Sequence, residues 1–304
     1  MKMNKYKSLF PMFGFVAGLV FSALIFLSYK NENVRKVFYD LAQKIVSVRM
    51  DKTFDFAGEQ VPLNDDTKER MDRELNINAY WQSSTMLNIK LANKFFPVIE
   101  KILDENDIPD DCKYMAVAES GLRNATSSSG AKGYWQFMKP TAIELGLEIS
   151  EDVDERMHLE KSTQAACTYL KQLYNRFGTW TNVAAAYNVG PTNFSKSLSE
   201  QKESSYYDMN INDETSRYVF RIIAIKEILS NPEDFGFYLS KEDKYAKHPD
   251  LMDVVVTETI PSLADFAHQY GISYRMLKFY NPWLLTGKLT VKDGKQYIIK
   301  IPKK

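Results

Sequence analysis

Between about Ile77 and Leu239 apolar residues recur at intervals of three and four, the period of helices with one buried face. The stretch 88–106 (NIKLANKFFPVIEKILDEN) shows it plainly. Further helices are predicted over 140–146 (PTAIELG), 160–177 (EKSTQAACTYLKQLYNRF), 181–189 (TNVAAAYNV) and 214–229 (ETSRYVFRIIAIKEIL). A shorter helix is framed by its ends. Pro109 suits a first turn, Asp110 and Asp111 sit at the positive end of the macrodipole, and Gly121 stops the run CKYMAVAES. A loop rich in Ser and Gly, ATSSSGAKG, follows, and no strand-rich block interrupts the helices. Around 238–250 the composition turns polar, and the pattern beyond is of another kind. VVVTETI (254–260) reads as a strand, SLADFAHQYG and SYRMLKFYN as two short helices, and KQYIIKIP (295–302) as a closing strand.

The N-terminus has a pattern of its own. Lys2, Lys5 and Lys7 precede an uncharged run from Leu9 to Tyr29. As a helix such a run spans about 30 Å, the thickness of a bilayer's hydrocarbon core. It ends in Phe26-Leu27-Ser28-Tyr29, without the small residues of a signal-peptide cleavage site, and no cysteine follows to carry a lipid. An uncleaved transmembrane helix is expected, with a cleaved signal peptide as the alternative. Lys30, Arg35, Lys36 and Lys44 follow the span, so charge alone does not orient it. The chain thus divides into an anchor (1–30), a juxtamembrane stretch (31–75), a helical domain (76–240) and a C-terminal module (250–304). The stretch 31–75 either lifts the helical domain off the membrane or packs on it. The fold class is mainly α, with a small α+β module of strand-helix-helix-strand plan and an N-terminal transmembrane helix.

Composition narrows the chemistry. Of 304 residues 44% are hydrophobic, enough for a real core, and the formal net charge is zero, so a nucleic-acid partner is not expected. Cys112 and Cys167 lie in apolar helical contexts and are expected as buried free thiols. With three histidines (His158, His248, His268), no CxxC pair and no nucleotide loop, neither a metal nor a cofactor is expected. The acidic run Glu151, Asp152, Asp154 and Glu155 lacks calcium-loop spacing and is expected to be a solvated loop and helix start.

Glu119 closes the apolar run Met115–Ala118 in the last turn before Gly121. A carboxylate there faces the negative end of the helix dipole, and partial burial also disfavours its charge. Both effects hold a proton at neutral pH, as a general acid must. Taken alone, a helix-end glutamate pointing into solvent is the simpler reading. The neighbouring residues change that. AVAESGLRNATSSSGAKGYWQFMKPTA, AAAYNVG and NDETSRYVFRI occur in that order between about Ile108 and Phe237. They resemble the three motifs of the lytic transglycosylases with a goose-lysozyme-like catalytic domain, of the membrane-bound murein transglycosylase D type. Those motifs are Glu-Ser with its Ser/Gly loop and Gly-x-x-Gln-hydrophobic-Met segment, Ala-Tyr-Asn, and Glu-Thr-x-x-Tyr-Val. This chain departs from them in lacking a proline in the loop after Glu119 and in placing Lys139 before Pro140.

The resemblance implies a lysozyme-like helical domain that cuts the β-1,4 bond between N-acetylmuramic acid and N-acetylglucosamine in peptidoglycan. Glu119 would protonate the leaving oxygen and then act as base on the C6 hydroxyl of the muramic acid. That hydroxyl attacks its own anomeric carbon, giving a 1,6-anhydro end without water or a second carboxylate. Ser127 would bond near the catalytic carboxyl, and Gln136 and Met138 would line the sugar cleft. Tyr187, beside Asn188, would bring its hydroxyl close to the carboxyl, and Glu214 and Tyr218 would close the cleft. Trp135 and Phe137, flanking Gln136, are expected in the core. The catalytic domain would lie in the periplasm, anchored to the inner membrane. From about Val254 to Ile301 the chain resembles a degenerate LysM module with Glu258-Thr259 where Gly-Asp is usual. It is expected either to bind N-acetylglucosamine weakly or to cap the helical domain. Glu119 would equally serve a hydrolytic muramidase, and a scaffold that binds peptidoglycan without cutting it is the third reading.

Overall fold

The computed structural model describes residues 47, 48, 50 and 52–303, apart from Leu63, His248 and Asp293. The apolar run Leu9–Tyr29 lies outside them; among the described residues no helix is long and apolar enough to cross a membrane.

The described chain opens with a two-residue ribbon, β1 (Asp55–Phe56) and β2 (Glu59–Gln60), paired antiparallel. Asn64 then starts α1 (Asp65–Tyr80) by reciprocal capping. Its Oδ1 accepts from Thr67 N at 2.9 Å, and Thr67 Oγ1 accepts from Asn64 N at 3.0 Å. Trp81 ends α1 and begins α2 (Gln82–Glu105). The described part of the juxtamembrane stretch packs on the helical domain. Phe54, Phe56 and Val61 are buried in its core, and the expected boundary at 75/76 falls inside α1. Glu59 accepts from Trp180 N (2.7 Å) and Thr181 N (2.9 Å), putting a carboxylate on a helix N-terminus 121 residues away.

After Pro109 a 3-10 turn (Asp110–Cys112) leads into α3 (Lys113–Ser120), which Gly121 ends with φ 59° and an N–H to Val117 O bond of 2.8 Å. Then come α4 (Lys139–Glu144), α5 (Leu159–Phe177), α6 (Trp180–Val189), α7 (Pro191–Gln201) and α8 (Asp213–Ser230). Asn212 caps α8 through Thr215 N at 3.0 Å. This helix is the axle of the domain. It packs on α1, α3 and α6, and Tyr218, Val219, Phe220, Ile222, Ile223 and Ala224 are all buried. The helix is buried on most of its circumference although it carries Arg217, Arg221 and Lys226, because each of these is paired with a carboxylate. Cys112 and Cys167 are buried free thiols, as expected.

The C-terminal module pairs β3 (Leu251–Val256) with β4 (Tyr297–Pro302), in register from Leu251↔Pro302 to Val256↔Tyr297. Between them α9 (Leu263–Gln269) and α10 (Tyr274–Tyr280) start at the capping serines Ser262 and Ser273. The strand-helix-helix-strand plan is therefore present.

The acidic run is not a solvated loop. Glu151 is exposed, but Asp152, Asp154 and Glu155 are buried in the seam between the helical domain and the module. Asp152 Oδ1 accepts from Thr286 Oγ1 (2.6 Å), its Oδ2 from Thr290 N (3.1 Å) and its carbonyl from Leu285 N (2.8 Å). Asp154 N donates to Trp283 O at 3.0 Å, and Val153 joins the module's own core. His158 stacks on Trp283 with ring centres 5.6 Å apart. Each buried carboxylate has its donors, as buried polar groups require: Thr286 and Thr290 N for Asp152, Arg156 for Asp154, and Glu148 N with Lys161 for Glu155.

Asp152→Ala would leave Thr290 N without its acceptor and Thr286 Oγ1 with only the weaker one, Lys288 O. The expected cost is about 1–3 kcal/mol. It should read as a lower Tm and as faster amide exchange over 284–290; unchanged exchange there would show that the seam is not held this way.

Candidate functional site

Glu119 stands on the last turn of α3, partly buried, where the chain turns sharply at Gly121. The turn favours glycine chiefly through its backbone conformation. Its φ of +59° is left-handed, and a Cβ there would lie 2.9 Å from Asn88 Oδ1. Across the domain core Tyr218 of α8, 1% exposed, donates its hydroxyl to Glu119 Oε1 at 2.5 Å. Burial is the largest influence on this carboxyl and raises its pKa; the Tyr218 bond and the positive charge of Arg221 pull it down, and Glu214 pushes it up. The balance stands at about 7, so at neutral pH the group can either give or take a proton.

The Ser/Gly loop is held from behind. Gly133 has φ +84°, and a Cβ there would sit 1.8 Å from the carbonyl oxygen of Arg156. Arg156 is itself buried. Its Nε and Nη2 fork onto Asp154 at 2.9 and 2.7 Å, while Nη1 donates to Gly130 O (3.2 Å) and Phe137 O (3.1 Å). Trp135 and Phe137 are core residues as expected, with Trp135 Nε1 bonded to Thr163 Oγ1 at 3.0 Å. Gln136, between them, takes a left-handed φ of +49°. Its Nε2 donates to Ala125 O (3.1 Å) and Gly133 O (2.8 Å), which braces the loop. Met138 is exposed beyond it. Ser127 closes the loop's own turn, its N donating to Ala131 O at 2.9 Å and its Oγ accepting from Ala131 N at 3.0 Å. In the loop the Ser127 Oγ is an acceptor, and the hydroxyl that bonds the Glu119 carboxylate comes from Tyr218.

Tyr187 lies near Glu119 but donates its hydroxyl to Trp135 O at 2.6 Å. Burial first, and then the charge of Glu119, push its phenol well above the ordinary tyrosine value. Asn188 Oδ1 accepts from Thr215 Oγ1 at 2.9 Å, pinning the end of α6 to the start of α8. Glu214 forks onto Arg221, with Oε1 at 2.8 Å from Nη1 and Oε2 at 3.3 Å from Nη2. Arg221 Nε also lies 3.7 Å from Oε2 of Glu74, whose Oε1 accepts from Arg217 Nε at 2.5 Å. Glu74, on α1 and 1% exposed, thus holds both Arg217 and Arg221, the second of which acts on Glu119 through its charge.

Sequence reasoning missed Glu74, Asp154, Arg156 and Arg221. For Arg221 a signal existed, since it lies seven residues after Glu214 on one helix, two turns along the same face. Among the described residues no cluster of three His, Cys, Asp or Glu is placed to hold a metal ion.

Residues 96–210 match the family described as Transglycosylase SLT domain, and residues 252–304 match the Soluble lytic transglycosylase C-terminal LysM-like domain. The first match stops before α8, which supplies Tyr218 and Arg221. The chain is similar to Membrane-bound lytic murein transglycosylase D of Escherichia coli (strain K12). The two are 27% identical over 250 residues, which are 80% of this chain and 53% of that protein. The chain thus spans about half the length of the curated relatives it matches. Among solved structures it aligns with the 70 kDa soluble lytic transglycosylase of Escherichia coli at a TM-score of 0.40 and 18% identity, covering 55% of this chain and 33% of that one. With the lytic transglycosylase Slt of Pseudomonas aeruginosa the TM-score is 0.35 at 18% identity, over 50% of this chain and 26% of the other.

A raised carboxyl pKa means that the folded protein binds this proton more tightly than the unfolded chain does. Stability is therefore lost as pH rises from the ordinary glutamate value to about 7, and the penalty is complete above that. Glu119→Gln, which cannot ionise, is expected to melt higher than the parent at pH 8 and to lose most of that advantage at pH 5. Tyr218→Phe removes a bond that favours the charged form, so an NMR titration of the Glu119 carboxyl should move upward. A titration unchanged in that variant would mean that the hydroxyl does not hold the carboxylate.

Proposed function

We propose that this chain, built from a Transglycosylase SLT domain and a C-terminal LysM-like domain, is a lytic transglycosylase of peptidoglycan that uses Glu119 as acid and then base. The observation that carries the reading is a glutamate at a helix end, held by a tyrosine hydroxyl and poised near neutrality. Protonated, Glu119 gives its proton to the oxygen of the bond between N-acetylmuramic acid and N-acetylglucosamine. Ionised, it takes the proton of the C6 hydroxyl as that oxygen attacks the anomeric carbon. The Tyr218 bond occupies Oε1, which leaves Oε2 to carry the proton in both directions. Because the attacking hydroxyl belongs to the substrate, its effective concentration is high without a bound water.

The charge environment favours this route over hydrolysis. The carboxylate that acts on Glu119 through its charge is Glu214, and Arg221 already forks onto it. A carboxylate so engaged is a poor base for a water, which an inverting hydrolase would need. Ser127, Gln136, Met138, Tyr187 and Asn188 complete the cleft in this reading, with Ser127 and Gln136 acting through the shape of the loop they brace. A chain held to the inner membrane by Leu9–Tyr29, with its catalytic domain in the periplasm, fits both the apolar run and the membrane-bound relative.

Digestion of purified peptidoglycan by the full-length chain in detergent, followed by mass spectrometry, tests the reading. Products lighter by one water, from 1,6-anhydro ends, are expected. Glu119→Gln should lower the rate by about 10²–10⁴-fold, the usual contribution of a positioned acid or base. Reducing ends in place of anhydro ends would make the protein a muramidase, and digestion by the variant at the parent rate would remove Glu119 from the chemistry.

A further inference from the structure

A cavity of about 330 Å³ lies between the helical domain and the C-terminal module, walled by α2, the loop after Gly121 and α10. No residue assigned above to the catalytic cleft lines it. Its charge is one-sided. Lys94, Arg123, Lys278 and Lys300 face it, against the single carboxylate of Glu160. That carboxylate is already taken by His158, at 3.2 Å, and by Lys300. Burial would raise its pKa, but those two bonds outweigh burial and hold it at about 2.

The other cations have no such partner. Among the described residues no carboxylate lies within ion-pair distance of Lys94, Arg123 or Lys278. The Lys94 ammonium sits over the ring of Phe279 at 4.2 Å, reaching across from α2 to the module. Lys278 donates to the carbonyls of Leu284 and Thr286, the second at 2.8 Å. Burial lowers the pKa of both lysines. Lys94 and Lys278 are half-buried without a counter-ion and Arg123 is exposed at the cavity's edge, so an anion entering the cavity meets all three, and its attraction to the two lysines is screened less than at the open surface.

We propose that this cavity between the two modules is a second binding site, distinct from the catalytic cleft, for a small carboxylate-bearing saccharide. The choice of saccharide rests on the peptidoglycan reading; the demand for a carboxylate rests on the charge of the cavity alone. The site forms only when the module is docked, so its ligand would also strengthen the seam by binding the closed arrangement.

The test uses the full-length chain in detergent and calorimetric titration with muramyl dipeptide (N-acetylmuramoyl-L-alanyl-D-isoglutamine). This probe is a single sugar bearing a carboxylate and has no glycosidic bond to cut. The uncharged disaccharide diacetylchitobiose is the control. One-to-one binding of the dipeptide is expected, weakened at least about tenfold in the double variant Lys94→Met, Arg123→Met, the loss usual for charge-assisted bonds. Lys94→Arg, which keeps the charge, should bind as the parent does, which separates loss of charge from loss of fold. Glu119→Gln should leave binding unchanged. The proposal falls if the parent does not bind the dipeptide, if the double variant binds it equally well, or if chitobiose binds the same site as tightly. Failure of the peptidoglycan digestion would sink the catalytic reading and leave this titration standing, and the converse holds too.

Discussion

The hydrogen bond from Tyr218 to Glu119 joins the end of one helix to the middle of another, and the rest of the helical domain is arranged to permit it. A carboxyl brought into a protein interior needs a partner, or it stays neutral. Here the partner rides on α8, which is itself buried on most of its surface. To hold α8 in place the domain uses three contacts that do not touch Glu119 itself. Asn188 pins its first turn through Thr215, Glu74 holds Arg217 and Arg221, and Lys226 bonds Asp55 and Asp111. Each comes from a different part of the chain, so the geometry at Glu119 is over-determined.

The acid's proton affinity is a balance between opposed influences of similar kind. Burial alone would leave Glu119 protonated over a wide range, and a neighbouring arginine alone would leave it ionised. Arg221 is kept from doing the latter because two carboxylates, Glu214 and Glu74, share its charge. With its charge so divided, the arginine lowers the acid's pKa only partly.

Much of this was legible in the sequence. The helix ending at Gly121 and the two serine-capped helices of the module carry their stop and start signals within a few residues, and local signals survive translation into structure. What escaped was non-local. Asp152 reads as part of a charged surface loop, because its partner Thr286 lies 134 residues further on. Glu74 reads as the polar face of an amphipathic helix until Arg217 is brought to it from 143 residues away. The tyrosines show the same limit. The motifs placed both Tyr187 and Tyr218 at the cleft, but only the packing of α6 and α8 decides that Tyr187 bonds Trp135 while Tyr218 takes the acid.

The seam around Asp152 changes what kind of machine the two modules make. A carbohydrate module on a flexible linker works as a tether, raising the local concentration of substrate by an amount set by linker length. Here the module is bolted on through Asp152, Val153 and Asp154, and Tyr297 adds a bond to Glu148 at 3.0 Å. Those bonds set its surface against the domain that carries Glu119. In the proposed reading, a stiff glycan strand touching both would be gauged rather than leashed, its position at Glu119 set by where it meets the module.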